Sequence, residues 1–252
     1  MRKLILVILI IFIAFILMGE DMNYIYKNEL KERYESYKKE HKNMKDSEII
    51  KNVNLNLDYT FYEKSENAIN IDTKLVLVNK YYKLDKDYVP KNLEKIDYEF
   101  SSGLDIMADS EAIKYFKKMS VDAKVLNLTI KTMSAYRTYE YQKNLYEKYL
   151  NEDEVSVVDT YSARAGHSEH QTGLAFDIYN VKKSYNEFGS TDEYIWIKDN
   201  AYRYGFILRY QKNKEYITGY KFEPWHIRYV GLDVAKEIYE NDLTLEEYLL
   251  NK

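Results

Sequence analysis

"GHSEHQTGLAFDI", Gly166 to Ile178, decides how the rest of this chain is read. The chain holds four histidines, and two of them stand here, His167 and His170. A carboxylate, Asp177, follows inside an apolar run. A helix would bring His170 and Asp177 to one face, but Gly173 and the strand-like "LAFDI" disfavour it. In a strand, Leu174, Phe176 and Ile178 share one face, while Gly173, Ala175 and Asp177 share the other. The first face is bulky and suits a core. The second is small apart from its carboxylate, which leaves room for a metal and a substrate. The same pattern also fits an aspartate satisfied by backbone N–H groups at a strand end.

Working outward, "EPWH" (Glu223–His226) brings another histidine beside a glutamate. A catalytic zinc commonly takes three protein ligands and keeps a fourth position open. His170, Asp177 and His226 would supply such a set. Glu223 would then be free to act as general base on a metal-activated water. The H-E-x-x-H motif is absent, so the case rests on pairing the two separated clusters. Arg137, at the end of "SAYR" (Ser134–Arg137), can bind a carboxylate or stabilise an oxyanion; a surface salt bridge is its other reading. His167 is expected at the rim of such a site or beside a ligand, and His41 lies among charges with no function assigned.

The composition narrows the classes. The 252 residues include no cysteine, which excludes disulfides and thiolate metal sites. A net charge of −4 argues against general nucleic-acid binding. At the N-terminus, Arg2 and Lys3 precede an apolar run from Leu4 to Gly19. It is short of the roughly 20 residues a spanning helix needs and has no clear A-x-A cleavage site. Residues 1–20 are therefore expected to be a signal-anchor or a signal peptide, with the rest of the chain outside. Residues 21–54, dense in Lys and Glu, read as one solvated helical stalk. Residues 55–252 read as a single domain. There, "TKLVLVNKYYKL" looks like a strand, and Ser110 looks like the N-cap of a helix carrying Ile113, Phe116 and Met119. Alternation from Leu126 predicts a strand ending near Ser134. "TYEYQKNLYEKYL" predicts a helix with Tyr141, Leu145 and Tyr149 on one face. "YITGYKFEPWHIRYVG" reads as strands around a turn at Thr218–Gly219, and the chain closes helically. Strands and helices mix without a regular βαβ alternation, which favours an α+β fold with an antiparallel sheet.

These pieces together resemble a known family. "SEHQTGLAFD" fits the S-x-H-x-x-G-x-A-x-D pattern of the VanY-type D-alanyl-D-alanine carboxypeptidases. "EPWHIRYVG" is similar to their second signature, "SAYRTYEYQ" to their "SGYRSYxxQ" segment, and "LVNKYYKLDKDYVP" to the start of their catalytic domain. The wider superfamily unites lysostaphin-type peptidases, D-Ala-D-Ala metallopeptidases and hedgehog domains. The resemblance covers about Leu75 to Gly231. It implies a small central antiparallel sheet flanked by helices, with zinc in the groove. It implies His170, Asp177 and His226 as zinc ligands, Glu223 as catalytic base, and Arg137 on the scissile carbonyl. It also implies that Ser168 contacts the substrate's terminal carboxylate and that Gln142 lines the peptide cleft. Ala135, Thr138, Ala165 and Gln211 depart from the usual residues at their positions. The implied enzyme is a zinc carboxypeptidase that removes the terminal D-Ala of peptidoglycan stem peptides; apart from the resemblance, the N-terminal segment would hold it at the membrane or let it be secreted, and a monomer is expected. An L,D-carboxypeptidase or an endopeptidase with the same chemistry is the alternative, and a non-enzymatic wall-binding module is a more distant one.

Overall fold

In the computed structural model, the described residues are 24–103, 105–183, 185–250 and 252. The apolar run and its reading as an export signal lie outside them. Among the described residues, no helix is long and apolar enough to cross a membrane. The chain divides into two compact units, with the division after Asn54.

In the first unit, the single solvated helix expected from the sequence is two helices, α1 (Lys31–Glu40) and α2 (Asp46–Asn54). They share a small core of Tyr34, Ile49 and Val53, joined by Leu30, Tyr37 and Met44. The tyrosines supply the apolar stripe that a count of Lys and Glu hides. The Tyr34 hydroxyl donates to Asn54 Oδ1 at 2.6 Å, and Arg33 donates to the Val53 carbonyl at 3.0 Å, tying the two helices together.

The second unit is α+β, as its irregular pattern predicts. Two small ribbons come first: β1 (Glu66–Asn67) pairs parallel with β2 (Tyr82–Lys83), and β3 (Leu93–Lys95) pairs antiparallel with β4 (Met107–Asp109). Helix α3 (Ser110–Val125) leads to β5 (Lys131–Ser134), then α4 (Tyr139–Leu150) and the short α5 (Val155–Val158). Strand β6 (Ala175–Tyr179), α6 (Asp192–Asn200), β7 (Phe206–Leu208), α7 (Glu215–Thr218) and β8 (His226–Tyr229) follow. Helices α8 (Leu232–Glu240) and α9 (Leu245–Leu250) close the unit. The central sheet has the order β5-β6-β8-β7 and is antiparallel throughout.

The period-2 pattern of "LAFDI" sorts the two faces of this sheet. Leu174, Phe176 and Ile178 enter the main core with Phe206, Ile227 and the α3 residues Ile113, Phe116 and Met119. Phe116 stacks on Phe176 with ring centroids 5.0 Å apart. Each such fully buried side chain contributes about 1.5–3 kcal/mol. On the opposite face, Ile207 joins a second cluster with Ala235, Ile238 and Leu245 from α8 and α9. The part of that face bearing Asp177 and His226 is covered by neither cluster and becomes the floor of a cleft.

Several local expectations change. Residues 74–79 form no strand: Leu75 and Leu77 face the second cluster while Val76 and Val78 enter the first. Their alternation is real, but the Arg228 guanidinium takes the Lys74 and Val76 carbonyls, at 2.9 and 2.8 Å, where a strand partner would stand. The cap of α3 is Asp109, not Ser110, because its carboxylate accepts from the Glu111 and Ala112 amides. Helix α3 ends at Val125, and the amides of Leu126, Asn127 and Leu128 bond back to Ala123 and Lys124 in a closing turn, so the strand expected from Leu126 is confined to Lys131–Ser134. Around Thr218–Gly219 there is one helical turn, α7, ended by Gly219 at φ 75°, and the only strand nearby among the described residues is β8.

Candidate active site

Three short elements assemble the site. Glu169–Thr172 is a single 3₁₀ turn whose N-cap, Ser168, accepts from the His170 amide. Gly173 ends the turn at φ 71°, in the left-handed region; a Cβ there would lie 2.8 Å from Leu93 Cδ2. The chain then enters β6, and Asp177 stands directly across the ladder from His226 on β8. On the other side of β6, Asp177 faces Ser134, because a bulge at Met133 shifts the β5 register by one residue. The row Ser134, Asp177, His226 thus crosses three strands, with His170 above it on the turn.

The geometry brings the predicted residues together. Ligand atoms of His170, Asp177 and His226 all lie within 4.8 Å of one another, and all three residues are buried. His170 Nε2 is 3.3 Å from Asp177 Oδ2, and His226 Nδ1 is 3.2 Å from Asp177 Oδ1. Glu223 Oε2 lies 3.8 Å from His226 Nδ1. Arg137 pairs with Asp177 Oδ2, and its Nε donates to Ser134 Oγ at 2.9 Å. The set fits a divalent ion. Two imidazole nitrogens and a carboxylate oxygen converge in a buried cleft, the donor set a divalent ion takes. His170 Nδ1 is 2.6 Å from the Ala135 carbonyl, which fixes the tautomer that leaves Nε2 free to ligate.

Burial sets the charges of these groups. It opposes ionisation of Asp177, but His170 and Arg137 outweigh it and hold this carboxyl well below the usual range. At Glu223 burial wins: it pushes the carboxyl up to about 8, with Asp177 adding to the rise and His226 and Arg137 only partly opposing it. The His170 imidazole is shifted down, again chiefly by burial. One acid of the cleft therefore stays ionised while the other holds a proton readily, which suits ligand and proton-carrier roles respectively.

The cleft has a volume of about 480 Å³. Tyr141, Leu145 and Tyr149 of α4 form one wall, and Tyr210, Tyr220 and Trp225 lie on the other side, around Glu223. Ser168 and Gln142 both line it. Gln142 Nε2 donates to the Ala163 carbonyl at 2.8 Å, while its buried Oε1 has no hydrogen-bond partner among the described residues. His167 is elsewhere, held by the Asn79 carbonyl at 2.7 Å and Ser65 Oγ at 3.2 Å against the edge of Tyr62. It packs as a structural residue and is not on the rim. Tyr210, Tyr220 and Glu169 were not singled out in the sequence. In so tyrosine-rich a chain an aromatic carries little signal, and a glutamate between Ser168 and His170 looks like a solvated loop residue.

The chain is similar to known proteins over most of the second unit. The family model for VanY, D-alanyl-D-alanine carboxypeptidase, matches residues 105–232. The putative carboxypeptidase YodJ of Bacillus subtilis is 44% identical over 189 residues, covering 73% of this chain and 69% of its own. The LdcB LD-carboxypeptidase, whose structure addresses peptidoglycan recognition, aligns with a TM-score of 0.69 and 43% identity, over 73% of this chain and 89% of its own. A vancomycin-resistance D,D-pentapeptidase VanY solved with Zn(II) aligns with a TM-score of 0.59 and 34% identity, over 70% of this chain and 98% of its own. The protein belongs to the VanY family of D-alanyl-D-alanine carboxypeptidases.

Proposed function

We propose that this protein is a zinc-dependent D-alanyl-D-alanine carboxypeptidase that removes the terminal D-Ala from peptidoglycan stem peptides. The observation that carries this reading is the buried convergence of His170, Asp177 and His226 on a cleft that also holds Glu223 and Arg137. His170 through Nε2, Asp177 through a carboxylate oxygen and His226 through Nδ1 would hold the ion. Bound there, zinc supplies Lewis acidity to the scissile carbonyl and to the attacking water. Glu223 accepts the proton of that water and passes it to the leaving amine, a task suited to a carboxyl whose affinity for a proton burial has raised. Arg137 places positive charge where the carbonyl oxygen becomes negative. The Ser168 hydroxyl is a donor for the terminal carboxylate, and Gln142 lines the peptide cleft.

In this reading the segment 1–20 is an export signal or anchor, 21–54 a spacer and 55–252 the catalytic domain. The enzyme then acts outside the cytoplasmic membrane, where its substrate lies. The cleft is lined entirely by residues of the second unit, and the proposed state is a monomer.

A second reading, L,D-carboxypeptidase activity on tetrapeptides, is favoured by the likeness to LdcB. A panel of stem pentapeptide, tetrapeptide and cross-linked muropeptide, with products identified by mass spectrometry, separates the two. Loss of D-Ala from the pentapeptide alone supports the D,D assignment. Cleavage of the tetrapeptide alone overturns it in favour of the second reading.

A further inference from the structure

Behind the cleft lies a buried group of charges that the proposed chemistry does not use. Glu169 stands between two guanidinium groups: Arg209 Nε and Arg228 Nη1 both donate to its Oε1, at 2.8 and 2.7 Å. Arg209 in turn makes a forked pair with Glu246 of α9, at 2.9 and 2.6 Å. Asn79 donates to the same Glu246 at 3.1 Å. All four charged residues are buried, and two acids balance two bases.

One atom stands outside this pairing. Glu169 Oε2 is buried and has no hydrogen-bond partner among the described residues, and the same holds for His226 Nε2. The two face each other at 3.5 Å. A buried carboxylate oxygen and a buried imidazole nitrogen are each costly to leave unmade, so this opposition is informative. A few tenths of an ångström of approach turns it into an N–H···O bond. The other nitrogen of the same ring, Nδ1, points at Asp177 and Glu223.

We infer that Glu169 is a positioning residue for His226: it accepts the Nε2 proton and so fixes the tautomer and ring orientation that offer Nδ1 to a metal. This rests on the metal reading of His170, Asp177 and His226. The two imidazoles are then supported differently. His170 leans on a neutral carbonyl, that of Ala135, whereas His226 leans on a carboxylate. A carboxylate acceptor makes its imidazole the stronger donor to a metal. Because Glu169 spends Oε1 on two guanidinium groups, it supports His226 without adding uncompensated negative charge behind the site. Glu246 lies outside the stretch matched by the family model, so the closing helix of the fold steadies, through Arg209, a group that reaches the candidate metal centre.

The test compares E169Q with E246Q. Each removes one negative charge from the same four-residue group, but only Glu169 faces His226. Metal-free wild type, E169Q, E246Q and H226A are titrated with zinc against a chromophoric chelator, and their melting temperatures are recorded without metal. Both glutamine variants are expected to melt lower. Only E169Q is expected to bind zinc more weakly, by about 10- to 100-fold. Equal zinc affinity in E169Q and wild type, with loss in H226A, overturns the inference alone. An equal loss in E169Q and E246Q also overturns it, because that is general loosening. Zinc held as tightly by H226A as by wild type overturns the metal reading and the inference with it. A second measurement needs no variant. In zinc-loaded, ¹⁵N-labelled wild type, long-range ¹H–¹⁵N spectra should show His226 protonated at Nε2, with a slowly exchanging proton. Protonation at Nδ1, or an Nε2 proton in fast exchange with water, would sink the proposal even if E169Q fails to fold.

Discussion

Two buried groups of charges sit on opposite sides of one imidazole ring, and they are built on opposite rules. Behind His226, Glu169, Glu246, Arg209 and Arg228 form a closed set in which acids and bases cancel and the hydrogen bonds run at 2.6–2.9 Å. In front of it, Asp177 and Glu223 meet a single arginine, Arg137, and their oxygens converge on a cleft. The closed set behaves as structure: each charge is compensated inside the protein. The open set behaves as a site, because Asp177, the two imidazoles and Glu223 present ligand and proton-accepting atoms to a cleft instead of closing on one another. The difference lies in pairing and in access: the Arg137 and Asp177 side chains keep exposures of 18% and 12% at the cleft, whereas those of Arg209, Arg228 and Glu169 have none.

Three substitutions can break this contrast, and the largest effect belongs to the open set. Glu223→Ala should leave zinc stoichiometry at wild-type level while turnover on the preferred stem peptide falls by about 10²- to 10⁴-fold, the usual range for a general base. Metal analysis and a mass-spectrometric rate on the same preparation check both halves. Turnover near wild type would remove Glu223 from the chemistry and with it the division of roles between the two acids. In the closed set the consequence is stability. Glu246→Gln leaves Arg209 with only one of its two carboxylate partners, and breaking such a buried pair costs about 3–5 kcal/mol. Urea unfolding of the metal-free protein should show that loss, while the zinc affinity of the folded protein stays where it was. A loss below about 1 kcal/mol would place this network among pairs that contribute nothing measurable.

The open set was far more legible in the sequence than the closed one. His170 and Asp177 sit within a few residues of each other, flanked by glycine and alanine, and "EPWH" carries the only other histidine outside the charged N-terminal run apart from His167. Rare residue types in a tight pattern are visible before folding. Glu169, Arg209, Arg228 and Glu246 are common residues scattered over the domain, and only the β6–β8 pairing and the docking of α9 make them neighbours. The fold shows the same division. Strand β6 follows directly from its period-2 pattern. The segment 74–79 shows the same alternation but forms no strand, because an arginine side chain, which no local pattern announces, takes its carbonyls. The helical pair α1–α2 was hidden by composition: Lys and Glu dominate the run, while Tyr34 and Tyr37 provide the apolar face.

Lys80 follows neither rule and gives the smallest test. It is 2% exposed, yet its Nζ donates to a neutral carbonyl, that of Asp159, instead of meeting a carboxylate. The ammonium lies over the Tyr220 ring at 4.2 Å, and Gly219 leaves the space its stem occupies: a Cβ there would come within 2.6 Å of Lys80 Cε. Burial dominates and brings the Lys80 pKa down to about 8, with Asp159 opposing the drop and Arg164 adding to it. The sign follows from proton counting. Between about 8 and the ordinary value of 10.5, the unfolded chain holds a proton on this lysine that the folded chain has released. Unfolding takes up a proton there, so this group's contribution to stability rises with pH across that window. The cost of burying the charge is complete below pH 8 and fades as the group becomes neutral. From pH 7.5 to 9.5 the expected gain is about 1–2 kcal/mol. Lys80→Met has no charge to bury and should lack this rise. The many tyrosines titrate in both proteins, so the difference between wild type and variant, measured by urea unfolding at each pH, isolates the lysine. A difference that stays flat across the window would mean that the aromatic rings and the Asp159 carbonyl compensate a buried ammonium as fully as a carboxylate does, and the contrast between closed and open sets would then no longer follow from carboxylate pairing.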